Sequence, residues 1–181
     1  MTDNLKIYES EDNIPYRLKF INDLLAGKLV TTMIDTSKDK WQDDLTQNVN
    51  DIRKVLPKQY HDFNKVINQI GGKLLYIKSG STGHTFKGLY PKDNTKPNYA
   101  VKIVAYPKKE HYGDLYDITR PENAELIMLR ILSPFVTKNQ TPHIVLPMCT
   151  FNTTIKTFVS LPQNDIVKNK KFDLFVKRYK K

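Results

Sequence analysis

One cysteine, Cys149, stands among 181 residues. That excludes an internal disulfide framework and any multi-cysteine metal site, and it fits a reducing compartment. Long apolar runs are also missing. The richest, Glu125-Leu-Ile-Met-Leu-Arg-Ile-Leu132, is short and carries charges, far from the roughly 20 apolar residues of a membrane span. The first residues, Met1-Thr-Asp-Asn-Leu5, lack the basic-then-apolar pattern of a secretory signal. The hydrophobic fraction is low at 39%, yet 10 Tyr and 8 Phe argue for a packed chain over a disordered one. The expectation is a soluble, cytoplasmic, globular protein with no membrane partner.

Acidic residues are in the minority, 19 against 29 Lys and Arg. Residues 1–70 hold 10 basic and 11 acidic side chains, whereas residues 71–181 hold 19 and 8. The excess therefore lies in the second part, much of it between Lys168 and Lys181. Such a block can attract polyanions. However, Lys outnumbers Arg 24 to 5, and phosphate and base readers favour the bidentate fork of Arg. A Lys/Asn bias from AT-rich coding explains the charge equally well, so nucleic acid is not the favoured partner.

Three regions follow from periodicity. Residues 1–70 read as a helical amino-terminal extension. Ile14 to Leu29 is a first segment, and Trp41, Leu45, Val49, Ile52 and Leu56 recur on one helical face. Pro57 opens another helix carrying Tyr60, Phe63, Ile67 and Ile70, which Gly71-Gly72 stops. From Lys73 the period becomes that of strands. Leu74–Ile77, His84–Phe86, Tyr99–Val104, His143–Phe151 and Ile155–Leu161 are predicted strands. Thr119-Arg-Pro-Glu122 reads as a capping box that starts a helix running to Leu132 and ending at Ser133-Pro134. The fold class is α+β, an antiparallel sheet with one packed helix over residues 71–161. Residues 162–181 form a basic segment, helical by the spacing of Phe172, Phe175, Val176 and Tyr179.

The chemistry concentrates at Ile77-Lys-Ser-Gly-Ser-Thr-Gly-His84. Glycines between two strands let main-chain N–H groups approach an anion, because no Cβ intervenes. A hairpin that merely needs glycine has the same appearance. The turn is not a Walker A loop, since no Gly-Lys-Ser/Thr follows it. The next strand, Tyr99-Ala-Val-Lys-Ile103, carries Lys102 inside an apolar run, with Ala100 and Lys102 on one face. A cation on a covered face needs an anionic partner. The helix offers Glu122, assigned to the capping box, and Glu125, which has no capping duty and is the better partner.

Glycine turn, Ala-Val-Lys strand and Glu-bearing helix together resemble the amino-terminal lobe of a eukaryotic-type serine/threonine protein kinase, most of all those of large DNA viruses. Gly80 and Gly83 match the second and third glycines of the family loop, and Lys78 stands where the first would be. Ala100 and Lys102 match the Val-Ala-Ile-Lys strand. Thr85 replaces the valine that packs on adenine. The resemblance implies that Gly80, Ser81, Gly83, Ala100 and Lys102 bind ATP with Mg2+, and that Glu125 holds Lys102 in place. It covers residues 72–160. The second lobe, with its catalytic base and metal-binding residues, lies outside the chain, and His61-Asp-Phe-Asn64 is no substitute because it precedes the turn and lacks the glycine. No catalytic residue and no metal ligand is therefore assigned, and the chain alone is not expected to transfer phosphate. Its partners would be ATP and a missing carboxy-terminal lobe. The alternatives are a non-catalytic lobe that binds a protein partner and, behind it, a basic nucleic-acid-binding protein.

Overall fold

A computed structural model of the protein describes residues 13–27, 30–34, 51–54, 56, 60–71, 73–80, 83–90, 98–106, 110, 113–154, 156, 166–167 and 170–179. Helix α1 spans Ile14–Leu25, capped by the Asn13 side chain, which accepts from the Tyr16 N–H, with proline in the first turn. It buries Ile14, Ile21 and Leu25. Helix α2 is Phe63–Ile70, and its cap is Asp62, whose carboxylate accepts from the N–H groups of Asn64 and Lys65. This cap displaces the helix start expected at Pro57. Tyr60 instead lies outside α2, exposed, in a single parallel bridge to Asn152. Pro57 lies outside the described residues, as do Trp41, Leu45 and Val49; Ile52 sits in a 3-10 turn, Ile52–Lys54.

Strands β2 (Lys73–Ser79), β3 (His84–Leu89) and β4 (Tyr99–Ile103) form an antiparallel meander, and β6 (Ile166–Val167) pairs parallel with the outer edge of β2. Pairing sets Tyr76 opposite Phe86, and Phe86 opposite Val101. The covered face carries Leu74, Tyr76, Phe86 and Tyr99, packed on Phe63, Val66, Ile67 and Ile70 of α2. Helix α4, Lys170–Tyr179, adds Phe172 and Val176 to the same face. Gly88 belongs to this packing, since a Cβ there would collide with the Tyr99 ring. With the ring free to cross β3, the Tyr99 hydroxyl donates to Gly71 O at 2.7 Å, while Tyr90 donates to Ile70 O. Both satisfy carbonyls at the end of α2, and burial pushes the Tyr99 hydroxyl well above its ordinary value.

A second core gathers Ile14, Ile21 and Leu25 of α1 with Met33, Ile34, Ile52, Leu56 and Leu146, and with Ile127 and Val136 of helix α3, Pro121–Thr137. Here α3 differs from expectation at its end. It continues through Pro134, because Ser133 Oγ donates to Leu129 O and because Pro134 and Val136 are buried. The predicted strand 143–151 is shorter as well. Only Cys149–Thr150, β5, joins a ladder, paired antiparallel with β1, Thr31–Thr32. Upstream, the carbonyls of Pro142 and Ile144 are taken by the Arg17 guanidinium of α1, at 2.7 and 2.9 Å, rather than by a neighbouring strand. The return strand expected at 155–161 falls, apart from Lys156, outside the described residues. The class is α+β with an antiparallel sheet, as the sequence implies, and no helix among the described residues is long and apolar enough to cross a membrane.

Ile67 is 1% exposed at the junction of α2 and the sheet. Ile67→Ala should cost about 2–5 kcal/mol. Urea unfolding followed by circular dichroism should show one transition at lower midpoint; an unchanged midpoint would dissociate α2 from the sheet core.

Candidate functional site

The hairpin between β2 and β3 closes through Gly80, whose N–H donates to Gly83 O at 2.7 Å. The two glycines have different duties. Gly83 lies against β4, where a Cβ would collide with the Ile103 carbonyl. At Gly80 a Cβ would meet only Gly83 O, at an ordinary contact distance of 3.8 Å. Packing therefore requires glycine at 83 and leaves the bare backbone of residue 80 unexplained. Ser81 lies outside the described residues.

Lys102 sits on β4 directly opposite Thr85 of β3, on the face of the sheet turned away from the core, with Ala100 opposite Lys87. Its Nζ donates to Glu125 Oε2 of α3 in an ion pair. The sequence-based choice of Glu125 over Glu122 matches this geometry. Both partners stay partly open, with side chains 37% and 44% exposed, so the pair contributes little to stability, about 0–1 kcal/mol. Its effect is positional, because it fixes where the ammonium stands.

What aims Glu125 is the start of α3. Arg120, the residue before the first turn, is buried, and its guanidinium Nε and Nη2 both donate to Glu122 Oε1. This replaces the expected capping box. Thr119 makes no cap, because its N–H and hydroxyl both donate to the Asp117 carboxylate. Those two bonds hold the Asp117 carboxyl below its ordinary range. Asn123, fully buried, donates through Nδ2 to Leu115 O and Asp117 O at 2.7 and 2.8 Å, fastening the preceding loop to the helix. Sequence reasoning missed Arg120 and Asn123; an arginine beside a helix-starting proline carries no distinctive signal.

Burial alone would raise the Glu122 carboxyl. Its own backbone N–H, the Arg120 guanidinium and the charge of Lys102 outweigh that and hold it low. A carboxyl depressed in the folded state supplies stability above its ordinary value, and that stability is lost as pH falls through the folded value. Glu122→Gln should therefore flatten the acid limb of a pH–stability curve, leaving wild type and variant closer at pH 3 than at pH 7; parallel curves would contradict this. Cys149 is part-buried in β5, and burial pushes its thiol up to about 11. A thiol raised in this way carries little thiolate, the nucleophilic form, at neutral pH.

The two glycines give a paired test. Gly83→Ala should cost about 1–3 kcal/mol through forced separation of β3 and β4, while Gly80→Ala should leave the unfolding midpoint nearly unchanged. Equal losses would show that both glycines serve the hairpin alone.

No family model matches the chain, and no solved structure matches it. Among curated proteins it is 40% identical over 167 residues to "Putative serine/threonine-protein kinase R400" of Acanthamoeba polyphaga mimivirus. The match takes in 90% of this chain and 34% of that protein, so the chain spans about a third of its relative's length. Nearly the whole sequence is thus similar to part of a mimivirus protein named as a serine/threonine kinase.

Proposed function

We propose that the chain is the ATP-binding amino-terminal lobe of a serine/threonine protein kinase, acting in the cytoplasm, whose catalytic lobe lies outside these 181 residues. One observation carries this reading. The Lys102–Glu125 pair stands on the open sheet face beside the glycine hairpin. In that arrangement Lys102 would hold the α- and β-phosphates and Glu125 would fix its position. The backbone at Gly80 and Ser81 would approach the phosphates, Gly83 would keep β4 close beneath them, and Ala100 and Thr85 would flank the base. Mg2+ would arrive on the phosphates, since no three His, Cys, Asp or Glu residues gather to hold an ion among the described residues. The sequence contains no His-Arg-Asp and no Asp-Phe-Gly. The chain's part in phosphoryl transfer would be binding and orientation, not proton abstraction.

A second reading, a lobe that serves as a protein-interaction module, draws on α3. Met128 and Phe135, 52% and 46% exposed, lie on the helical stripe that also carries Glu125.

Calorimetry with Mg-ATP tests the first reading. Binding should be weak, lost in Lys102→Ala and reduced about threefold in Glu125→Gln, with no phosphate transferred to casein. Equal affinity for wild type and Lys102→Ala would overturn it. Concentration-dependent association in light scattering, abolished by Met128→Ser with Phe135→Ser, is the expected outcome for the second; a strict monomer would oppose it.

A further inference from the structure

Two carboxylates of α3 lie within the field of Lys102. Glu122 and Glu125 are three residues apart, so they are neighbours on the helix surface. Lys102 pairs with Glu125, yet its charge also helps to hold the Glu122 carboxyl low. The two partners are unequal. The Glu122 side chain is 15% exposed, against 44% for Glu125. A carboxylate already short of water gains most from a cation. By that measure Glu122 is the stronger site for an ammonium, and Lys102 nevertheless takes the weaker one.

Arg120 accounts for the choice. Residues two apart within a helix do not face each other. Arg120, however, precedes the helix with extended backbone, φ −66° and ψ 130°, and its side chain meets the first turn. There its Nε and Nη2 both donate to Glu122 Oε1. The guanidinium keeps its charge at any working pH, and its planar fork suits a carboxylate better than an ammonium does. Arg120 is itself buried, so giving up Glu122 would leave a desolvated cation without its acceptor. The Tyr106 hydroxyl, which lies near the same carboxylate, is spent on Asn152 Oδ1 at 2.9 Å. We propose that Arg120 is a positioning residue for Lys102: by occupying Glu122 it removes the competing carboxylate and directs the ammonium to Glu125. Without Arg120, Lys102 would turn to Glu122, three residues or about 4.5 Å nearer the start of α3. The effect on nucleotide binding rests on the reading above; the choice of carboxylate does not.

The test reads the partner of Lys102 directly, in the full chain without nucleotide, by NMR coupling across the hydrogen bond between Lys102 Nζ and a carboxylate carbon. In the wild type the coupling should run to Glu125. In Arg120→Met it should run to Glu122, and Arg120→Met/Glu122→Gln should return it to Glu125. Arg120→Lys, which keeps a cation beside Glu122, should retain the wild-type coupling. A coupling that stays with Glu125 in Arg120→Met overturns the proposal. Should Arg120→Met fail to fold, Glu125→Gln decides, because it leaves Arg120 in place. Lys102 should then couple to neither side chain, and coupling to Glu122 would overturn the proposal. Calorimetry with Mg-ATP supplies the functional arm. Affinity should fall about threefold in Arg120→Met and recover in the double variant, a rescue that a merely structural arginine would not give. If the partner switches while ATP affinity ignores both Arg120→Met and Lys102→Ala, the proposal stands and the nucleotide reading falls. If Lys102→Ala abolishes ATP binding while the coupling never leaves Glu125, the nucleotide reading stands and the proposal falls.

Discussion

Strand register is the constraint on which the rest of this structure depends. In β2, β3 and β4 alternate residues belong to opposite faces, and one set is apolar and large: Leu74, Tyr76, Phe86 and Tyr99. Because α2 and α4 both press on that set, a slip of one residue would turn four buried side chains to water. The same pairing delivers Lys102, Thr85 and Lys78 to the other side. Core and site are two readings of one register, and burial of the first enforces the geometry of the second. The bulge in β2 makes the single adjustment that brings Lys78 into line with Thr85.

Glu125 is positioned by a different device. Its helix is anchored from below by Ile127 and Val136, packed with α1 in the second core, and at its start by polar contacts. The part-buried Arg120–Glu122 pair and the two hydrogen bonds that Asn123 Nδ2 donates to the loop carbonyls fix where the first turn begins. Arg17 adds a tie between α1 and the segment that follows α3. A half-exposed ion pair such as Lys102–Glu125 cannot by itself hold a helix against a sheet. Here it is the consequence of packing and capping elsewhere.

The elements with the strongest local signals were legible in the sequence. The Phe63, Ile67 and Ile70 spacing marked α2, although the side chain of Asp62 decided its start. The strand alternation around Lys102 put Ala100 and Lys102 on one face, as observed. Glu125 was chosen over Glu122 because Glu122 was assigned to a capping box, and that reason was wrong: the Arg120 guanidinium occupies the Glu122 carboxylate, while Glu125 does meet Lys102. The helix end at Pro134 and the long strand at 143–151 were misread for a shared reason. Local preference was overruled by contacts distant in sequence, the buried Val136 in one case and the Arg17 fork in the other.

By itself the sequence determined the periodicities, hence the α+β class, the lysine on an otherwise apolar strand and the glutamate able to meet it. These follow from side-chain alternation and helical spacing, which are local properties of the backbone. The tertiary structure alone decided which glycine is needed for packing and which residues anchor α3. Each of these depends on pairing between segments whose relative register no single segment encodes.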